Sequence, residues 1–196
     1  MSWKTEVLQC TSAPLHLYNR GVNGELLFHV GADYSYFLEL VVEALPQFAV
    51  ELLLYTLMPN HYHLALVQDK PLEVSGFIRE VCWRFAKHNN KKHKRYGPLF
   101  AGRFRAKQVC DDAGLLRLSH YIHMNPVNAG LSSRPEEWRF SSCKFYVEEG
   151  KAGVVNARRK LKLIGGPAKN RTFLAEYNPA EALSIYRFLE EGGKSR

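Results

Sequence analysis

Several short segments of the chain alternate apolar and polar residues, as strands with one buried face do. Residues 14–22, PLHLYNRGV, alternate in this way and reach a glycine, which predicts a strand. Residues 48–58, FAVELLLYTLM, and residues 61–68, HYHLALVQ, predict an antiparallel pair joined by a Pro-Asn turn. Residues 24–30, GELLFHV, predict a short further strand after an Asn-Gly turn, and residues 104–110, FRAKQVC, predict another.

Longer segments repeat their apolar residues at helical spacing. Residues 33–46 begin with an acidic residue and end with a proline, which is typical of a helix. Residues 71–94 combine an apolar face with a basic opposite face and predict a second helix. For a third helix, we expect one of the aspartates at residues 111–112 to act as the cap. This helix should run to about Asn125, where Pro126 stops it.

The predicted order of the core elements is β, α, β, β, α, β, α. Two helices against one face of an antiparallel sheet form an α+β sandwich close to the ferredoxin-like arrangement. A short helix is predicted at the start of residues 136–150 and a final helix over residues 178–191. We therefore expect a domain over residues 1–149, followed by a basic linker and C-terminal helical extension over residues 150–196.

Composition narrows the class of protein. Of the 196 residues, 46% are apolar, which is enough for one sizeable core. No apolar run reaches the roughly 18–20 residues that span a bilayer, and the first residues lack the pattern of a signal peptide. We therefore expect a soluble, cytoplasmic protein with no membrane partner. The four cysteines form no Cys-x-x-Cys pair, which argues against a zinc ribbon and a disulfide framework.

Positive charge is concentrated in two segments of a chain whose net charge is +8. Residues 79–107 contain ten basic residues and one acidic residue, and residues 151–171 contain seven basic residues and no acidic one. Such a concentration attracts a phosphate backbone, although lysine runs are also common on solvated helix faces. The aromatic residues interleaved in the first segment favour nucleic acid.

Two pairs of residues suggest a site. His61 and His63 point to one face of their predicted strand, with Tyr62 turned to the other face. Tyr121 and Asn125 are four residues apart on a predicted helix and share a face. Each pair alone has an ordinary explanation, namely packed or surface histidines, and a boundary tyrosine beside a capping asparagine.

Taken together, the two pairs suggest metal-assisted chemistry on a phosphate. Two imidazoles and one amide oxygen leave coordination positions open, whereas a structural zinc site is closed by four ligands. An open site of nitrogen and oxygen ligands suits Mg²⁺ or Mn²⁺. A tyrosine one helical turn away is placed to attack phosphorus. A phenol has a pKa of about 10, so a base must take its proton, and the sequence does not indicate which.

Three motifs in this order resemble those of the REP-associated tyrosine transposases, which belong to the single-tyrosine HUH transposases. They are LMPNHYHLAL at residues 57–66, GPLFAGRFRAK at residues 97–107 and YIHMNPVNAGL at residues 121–131. The opening LYNRGVNGELLF also fits this family. The resemblance covers approximately residues 14–147.

The resemblance implies an RRM-like antiparallel sheet that carries His61 and His63 on a central strand. These histidines and Asn125 would bind Mg²⁺ or Mn²⁺. Tyr121 would attack a phosphodiester of single-stranded DNA, forming a 5′-phosphotyrosine link and releasing a 3′-OH, and the same site could rejoin strands. The implied substrates are DNA hairpins formed by palindromic repeats.

The basic residues of the first segment are expected to follow the DNA backbone. They are Arg79, Arg84, Lys87, Lys91, Arg103, Arg105 and Lys107. We expect a monomer, and a dimer is left open. The same features also fit a module that binds hairpins without cleaving them, or, with less support, a metal hydrolase of a small phosphorylated substrate. Residues 150–196 could add a DNA-binding element, cover the site, or pack as a helix after a solvated linker.

Overall fold

The computed structural model describes residues 7–148, 154–157, 161–162 and 164–176. A four-stranded antiparallel sheet forms its centre, with the strands in the spatial order β2-β3-β1-β4. The strands are β1 (Leu15–Arg20), β2 (Val50–Met58), β3 (His61–Gln68) and β4 (Arg105–Gln108). Strands β1 and β3 are therefore central, and β3 carries both histidines of the predicted pair.

The α-helices that accompany these strands are α1 (Gly31–Ala44), α2 (Glu73–Lys92), α3 (Asp112–Asn128), α4 (Lys144–Val147) and α5 (Pro167–Ala175). The first seven strands and α-helices follow the chain in the order β1, α1, β2, β3, α2, β4, α3. This order and the strand arrangement confirm the predicted α+β, ferredoxin-like fold. Within the described part of the chain, no helix is long and apolar enough to span a bilayer.

Helices α1 and α2 cover one face of the sheet. Tyr62 points to this face: its ring centroid lies 5.2 Å from that of Phe37 in α1, and its hydroxyl lies 3.3 Å from Sγ of Cys82 in α2. Successive strand residues point to opposite faces. His61 and His63 therefore point to the other face, against which α3 packs. We call this second face the site face.

Residues 24–30 do not form the predicted strand. A 3₁₀ turn, Val22–Gly24, is followed by irregular backbone. The amides of Leu27 and Phe28 both donate to the carbonyl of Pro59, at 2.8 and 3.0 Å, and both side chains are buried. The apolar residues of this segment thus pack onto the turn between β2 and β3, and their amides are satisfied there instead of in a strand ladder.

Helix α3 begins at the predicted cap but does not end at the predicted proline. Asp111 is the N-cap, whereas the helix continues through Pro126 to Asn128. Proline removes the helical hydrogen bond that its own amide would donate, and Pro126 is one of the buried residues of the helix. The amide of Ala129 donates to the carbonyl of Asn125 at 3.0 Å, so helical hydrogen bonding is present beyond the proline.

The segment after α3 returns to the domain through a 3₁₀ turn, Pro135–Glu137, which takes the place of the predicted short helix. Helix α5 then packs against α4, where Nδ2 of Asn170 donates to the carbonyl of Tyr146 at 3.3 Å. The predicted final helix, residues 178–191, lies outside the described residues. The division of the chain at residue 149 stays a prediction.

Candidate active site

Residues from β3 and α3 meet on the site face. A hydrogen bond joins the side chains of His61 and Asn125. The ring of His63 lies edge-on to the ring of Tyr121, with centroids 5.3 Å apart and an interplanar angle of 79°. The rings of His61 and His63 are 5.0 Å apart. The structure thus brings together the four residues that the sequence singles out, while their roles as ligands and nucleophile stay predictions.

The local sequence explains how α3 presents its two polar residues. Leu115, Leu118 and Ile122 are buried and anchor the helix, whereas Tyr121 and Asn125 occupy adjacent turns of the stripe that meets β3. Tyr121 is also buried, with only 4% of its surface exposed. The candidate nucleophile is therefore enclosed between the helix and the sheet.

A second set of contacts holds α3 in position. Nε2 of His123 lies 2.9 Å from Oγ of Ser142, and the same hydroxyl accepts a hydrogen bond from the amide of Tyr55 in β2 at 2.9 Å. All three residues are buried. Next to them, Thr56 in β2 donates to Oγ of Ser141 at 3.1 Å. A buried, connected polar network of this kind specifies one arrangement of the elements that it joins.

One ring nitrogen of the site is suited to bind a metal ion. Nε2 of His63 is buried and, among the described residues, has no hydrogen-bond partner. A buried polar atom without a partner costs free energy, so such an atom calls for an explanation. A cation at this place would satisfy it. The described residues contain no group of three His, Cys, Asp or Glu that could hold a metal, so a third ligand must be another group, such as the amide of Asn125.

The protonation state of the histidines also suits metal binding. Burial, together with the neighbouring imidazoles, holds the pKa of His63 well below its usual range. Burial lowers the pKa of His61 as well, against the opposing effect of the hydrogen bond with Asn125. Both imidazoles are therefore neutral at neutral pH, which is the form that coordinates a metal.

His16, which lies in β1 beside His63, is not among the residues predicted from the sequence. Its Nε2 is 3.0 Å from Nδ1 of His63, and its ring stacks on that of Tyr18 at 5.1 Å. Burial and the positive charge of Lys107 lower the pKa of His16 to about 3. Alternation along β1 puts His16 and Tyr18 on one face, which the sequence could have shown. That β1 lies next to β3 is a property of the fold, and without it His16 has no evident role.

Three of the predicted DNA-binding residues border the site. In β4, Arg105 lies opposite Tyr18 and Lys107 lies opposite His16, so both side chains point to the site face. Arg103 precedes β4 and is exposed. Because β4 is an edge strand, these cations line one margin of the site face.

The other predicted DNA-binding residues lie on α2, across the sheet from Tyr121. Arg84 forms an ion pair with Glu43 of α1 at 2.8 Å. The other three predicted DNA-binding residues of α2 are exposed, and an exposed aromatic residue lies in line with them. These four residues recur at every fourth position and form a row that we call the α2 stripe: Arg79, Trp83, Lys87 and Lys91. Trp83 is 60% exposed, and Nζ of Lys87 lies 5.4 Å from the centroid of its ring. The predicted DNA-binding residues thus fall on two separate surfaces.

Comparisons with known proteins agree with this fold. The family model described as "Transposase IS200 like" matches residues 27–125, just over half of the chain, and this range ends at Asn125. A solved structure of the REP-associated tyrosine transposase bound to a REP hairpin has a similar fold, with a TM-score of 0.61. The two proteins are 16% identical, and the match covers 76% of this chain and 87% of that chain. A search of curated proteins finds no match.

Proposed function

Because the chain belongs to the IS200-like transposase family, we propose that it nicks and rejoins single-stranded DNA at palindromic repeat hairpins through a phosphotyrosine at Tyr121. The main support for this proposal is that Tyr121 and Asn125 of α3 lie next to His63 and His61 of β3. The hairpin in the structurally similar transposase supports a hairpin as the substrate.

His61, His63 and Asn125 would hold Mg²⁺ or Mn²⁺, as their neutral imidazoles and amide oxygen suit an open site. The partnerless Nε2 of His63 supports this assignment. A bound divalent cation would polarise the phosphoryl oxygens and offset negative charge in the transition state.

The reaction that we propose exchanges one phosphodiester for another. The phenol oxygen of Tyr121 gives up its proton and forms a bond to phosphorus, while the bond from phosphorus to the 3′ oxygen breaks. The 3′ oxygen takes up a proton and leaves as a free hydroxyl, and the 5′ phosphate stays on Tyr121. Attack by a 3′-OH on this link reverses the step and rejoins strands, so no external energy source is needed.

The two cationic surfaces would bind different parts of the DNA substrate. Arg103, Arg105 and Lys107 border the site face and would hold the scissile single strand near Tyr121. The α2 stripe lies across the sheet and would hold a more distant part of the substrate, with Trp83 available for stacking. Contacts to phosphates position the DNA, whereas contacts to bases specify its sequence.

The burial of Tyr121 favours one alternative function. With 4% of its surface exposed, Tyr121 reaches a phosphate only after neighbouring groups move. A chain in which this movement does not occur would bind hairpins without cleaving them. Tight hairpin binding that is indifferent to EDTA, with no cleaved product, would support this alternative.

The test uses a hairpin oligonucleotide with single-stranded flanks, labelled at its 3′ end, because the downstream fragment stays on the protein. We expect a labelled adduct that survives SDS in the presence of Mn²⁺ and is absent for Tyr121→Phe. Tyr96→Phe, which alters a tyrosine that is 97% exposed, is the matched control and should form the wild-type amount. Equal adduct from Tyr121→Phe would show that Tyr121 is not the nucleophile.

A further inference from the structure

His16 lies diagonally across from His63 on the site face. In the ladder between β1 and β3, His16 is paired with Ala65, and His63 is two residues away on the same strand. Diagonal neighbours of this kind are about 7–8 Å apart at Cα, within reach of a ring side chain. Because the side chain of Ala65 is small, the imidazole of His16 passes over it and brings Nε2 to 3.0 Å from Nδ1 of His63.

The surroundings fix the ring of His16 in this place. It is fully buried and stacks on the ring of Tyr18, with an interplanar angle of 20°. The ring of Tyr121 meets it at 6.2 Å and 78°. These contacts fill the sides of the imidazole and leave its edge directed at His63.

Nε2 of His16 and Nδ1 of His63 face each other and share one hydrogen atom. Which of the two nitrogens carries this hydrogen determines whether Nε2 of His63 can bind a cation. If Nε2 of His16 carries the hydrogen, the neutral ring of His63 is protonated at its own Nε2 and cannot bind a cation there. If Nδ1 of His63 carries it, Nε2 of His63 has a free lone pair. Both arrangements leave Nδ1 of His16 and Nε2 of His63 without a protein partner among the described residues. Only the second arrangement allows a cation to satisfy Nε2 of His63, whose ring lies next to the ring of His61.

We propose that His16 is a positioning residue, which accepts a hydrogen bond from Nδ1–H of His63 and so keeps Nε2 of His63 free to bind the metal. This inference rests on the proposed function, since it assigns a purpose to the tautomer of a proposed ligand. Metal-binding histidines generally donate their second ring N–H to a neighbouring acceptor, which fixes the ring and its tautomer. In this protein the acceptor is a second imidazole instead of a carboxylate or a carbonyl.

The first test needs no metal and no variant. ¹⁵N NMR of the full chain labelled at histidine distinguishes the two tautomers by the chemical shifts of the ring nitrogens. We expect His63 in the Nδ1–H form in the metal-free protein. The Nε2–H form as the major species would overturn the proposal, whatever the activity of the protein.

The second test measures Mn²⁺ binding by electron paramagnetic resonance. His16→Phe keeps a ring but removes the acceptor, and we expect its Mn²⁺ affinity to fall about 10–100-fold. His16→Gln supplies an amide oxygen as acceptor and should recover part of this loss. His88→Phe removes an imidazole that packs on Tyr36 beyond the other sheet face, and it should bind Mn²⁺ as the wild type does.

The outcomes separate this proposal from the proposed function. A folded His16→Phe variant with wild-type Mn²⁺ affinity would refute the role of His16 and leave the metal site standing. Absence of Mn²⁺ binding by the wild type would refute the metal site, and with it the purpose assigned to His16. If His16→Phe does not fold, as judged by circular dichroism, the tautomer and His16→Gln still decide.

Discussion

His63 and Tyr121 are in ring contact, edge to face, with centroids 5.3 Å apart. One lies on a central strand and the other on a helix that begins about 50 residues later in the chain. This contact places a candidate ligand and a candidate nucleophile on the same side of the sheet.

Removing the amide of Asn125 should weaken metal binding. Asn125→Leu keeps a similar volume but has no oxygen ligand, and it also loses the hydrogen bond to His61. We expect its Mn²⁺ affinity to fall at least about 100-fold, because even the loss of a group behind a ligand costs about 10–100-fold. Titration calorimetry measures the affinity.

Asn125→Asp is the matched control for this substitution. It retains an oxygen ligand of a kind that suits Mg²⁺ and Mn²⁺, so Mn²⁺ binding should persist. Wild-type Mn²⁺ affinity in Asn125→Leu would remove Asn125 from the ligand set.

The cations of β4 should control how strongly binding depends on salt. Arg105→Gln and Lys107→Gln each remove one charge at the margin of the site face. For each, the slope of log affinity against log salt should become shallower by about 1, since one fewer counterion is released from the DNA. Fluorescence anisotropy of a labelled hairpin between low and moderate salt measures the slope.

Lys70→Gln is the control for the salt series, because Lys70 is exposed beyond the far end of β3 from His61. It should leave the slope unchanged. A wild-type slope for both β4 variants would contradict their contact with phosphates.

The α2 stripe should affect binding without affecting the chemical step. Trp83→Ala removes an exposed ring from the face of α2, far from Tyr121 in the fold. If this ring stacks on a base, hairpin affinity should fall by about 1–3 kcal/mol. At saturating protein, the rate of adduct formation should equal that of the wild type.

Single-turnover kinetics over a range of protein concentrations separates the two effects. A lower rate at saturation with unchanged affinity would show that Trp83 acts on the chemistry and not on a separate surface.

Asp33 should make stability depend on pH in the acidic range. Burial alone would raise its pKa, but hydrogen bonds from Lys92 and from the amides of His29 and Val30 lower it to about 2. The ordinary pKa of an aspartate side chain is 3.8. The stabilisation of about 2 kcal/mol is therefore complete above about pH 4 and is lost as the pH falls towards 2.

Asp33→Asn removes this titration. Urea unfolding at several pH values should show a lower free energy of unfolding than the wild type at pH 7, and a flatter dependence between pH 4 and 2. An equal dependence on pH in both proteins would assign the acid sensitivity to other carboxyl groups.

Local periodicity was enough to predict part of the site. Alternation along β3 places His61 and His63 on one face, and the spacing of four residues in α3 aligns Tyr121 with Asn125. Both relations depend only on backbone geometry, so one sequence reveals them. That the two pairs face each other follows from the packing of α3, which periodicity alone does not determine.

The features that were missed depend on which elements are neighbours. His16 acquires a role only because β1 pairs with β3, and Ser142 only because its segment returns to β2 beside His123. Residues 24–30 have the composition of a strand, but their amides bind the carbonyl of Pro59. In each case, tertiary contacts overrode or completed what local sequence indicated.

The most direct test of the account is the position of Mn²⁺ in a crystal of Tyr121→Phe bound to an uncleaved hairpin, located by anomalous diffraction. We expect one strong peak within bonding distance of His61, His63 and Asn125, with the scissile phosphate next to residue 121. A peak at other side chains, or a hairpin bound with the phosphate away from residue 121, would contradict it.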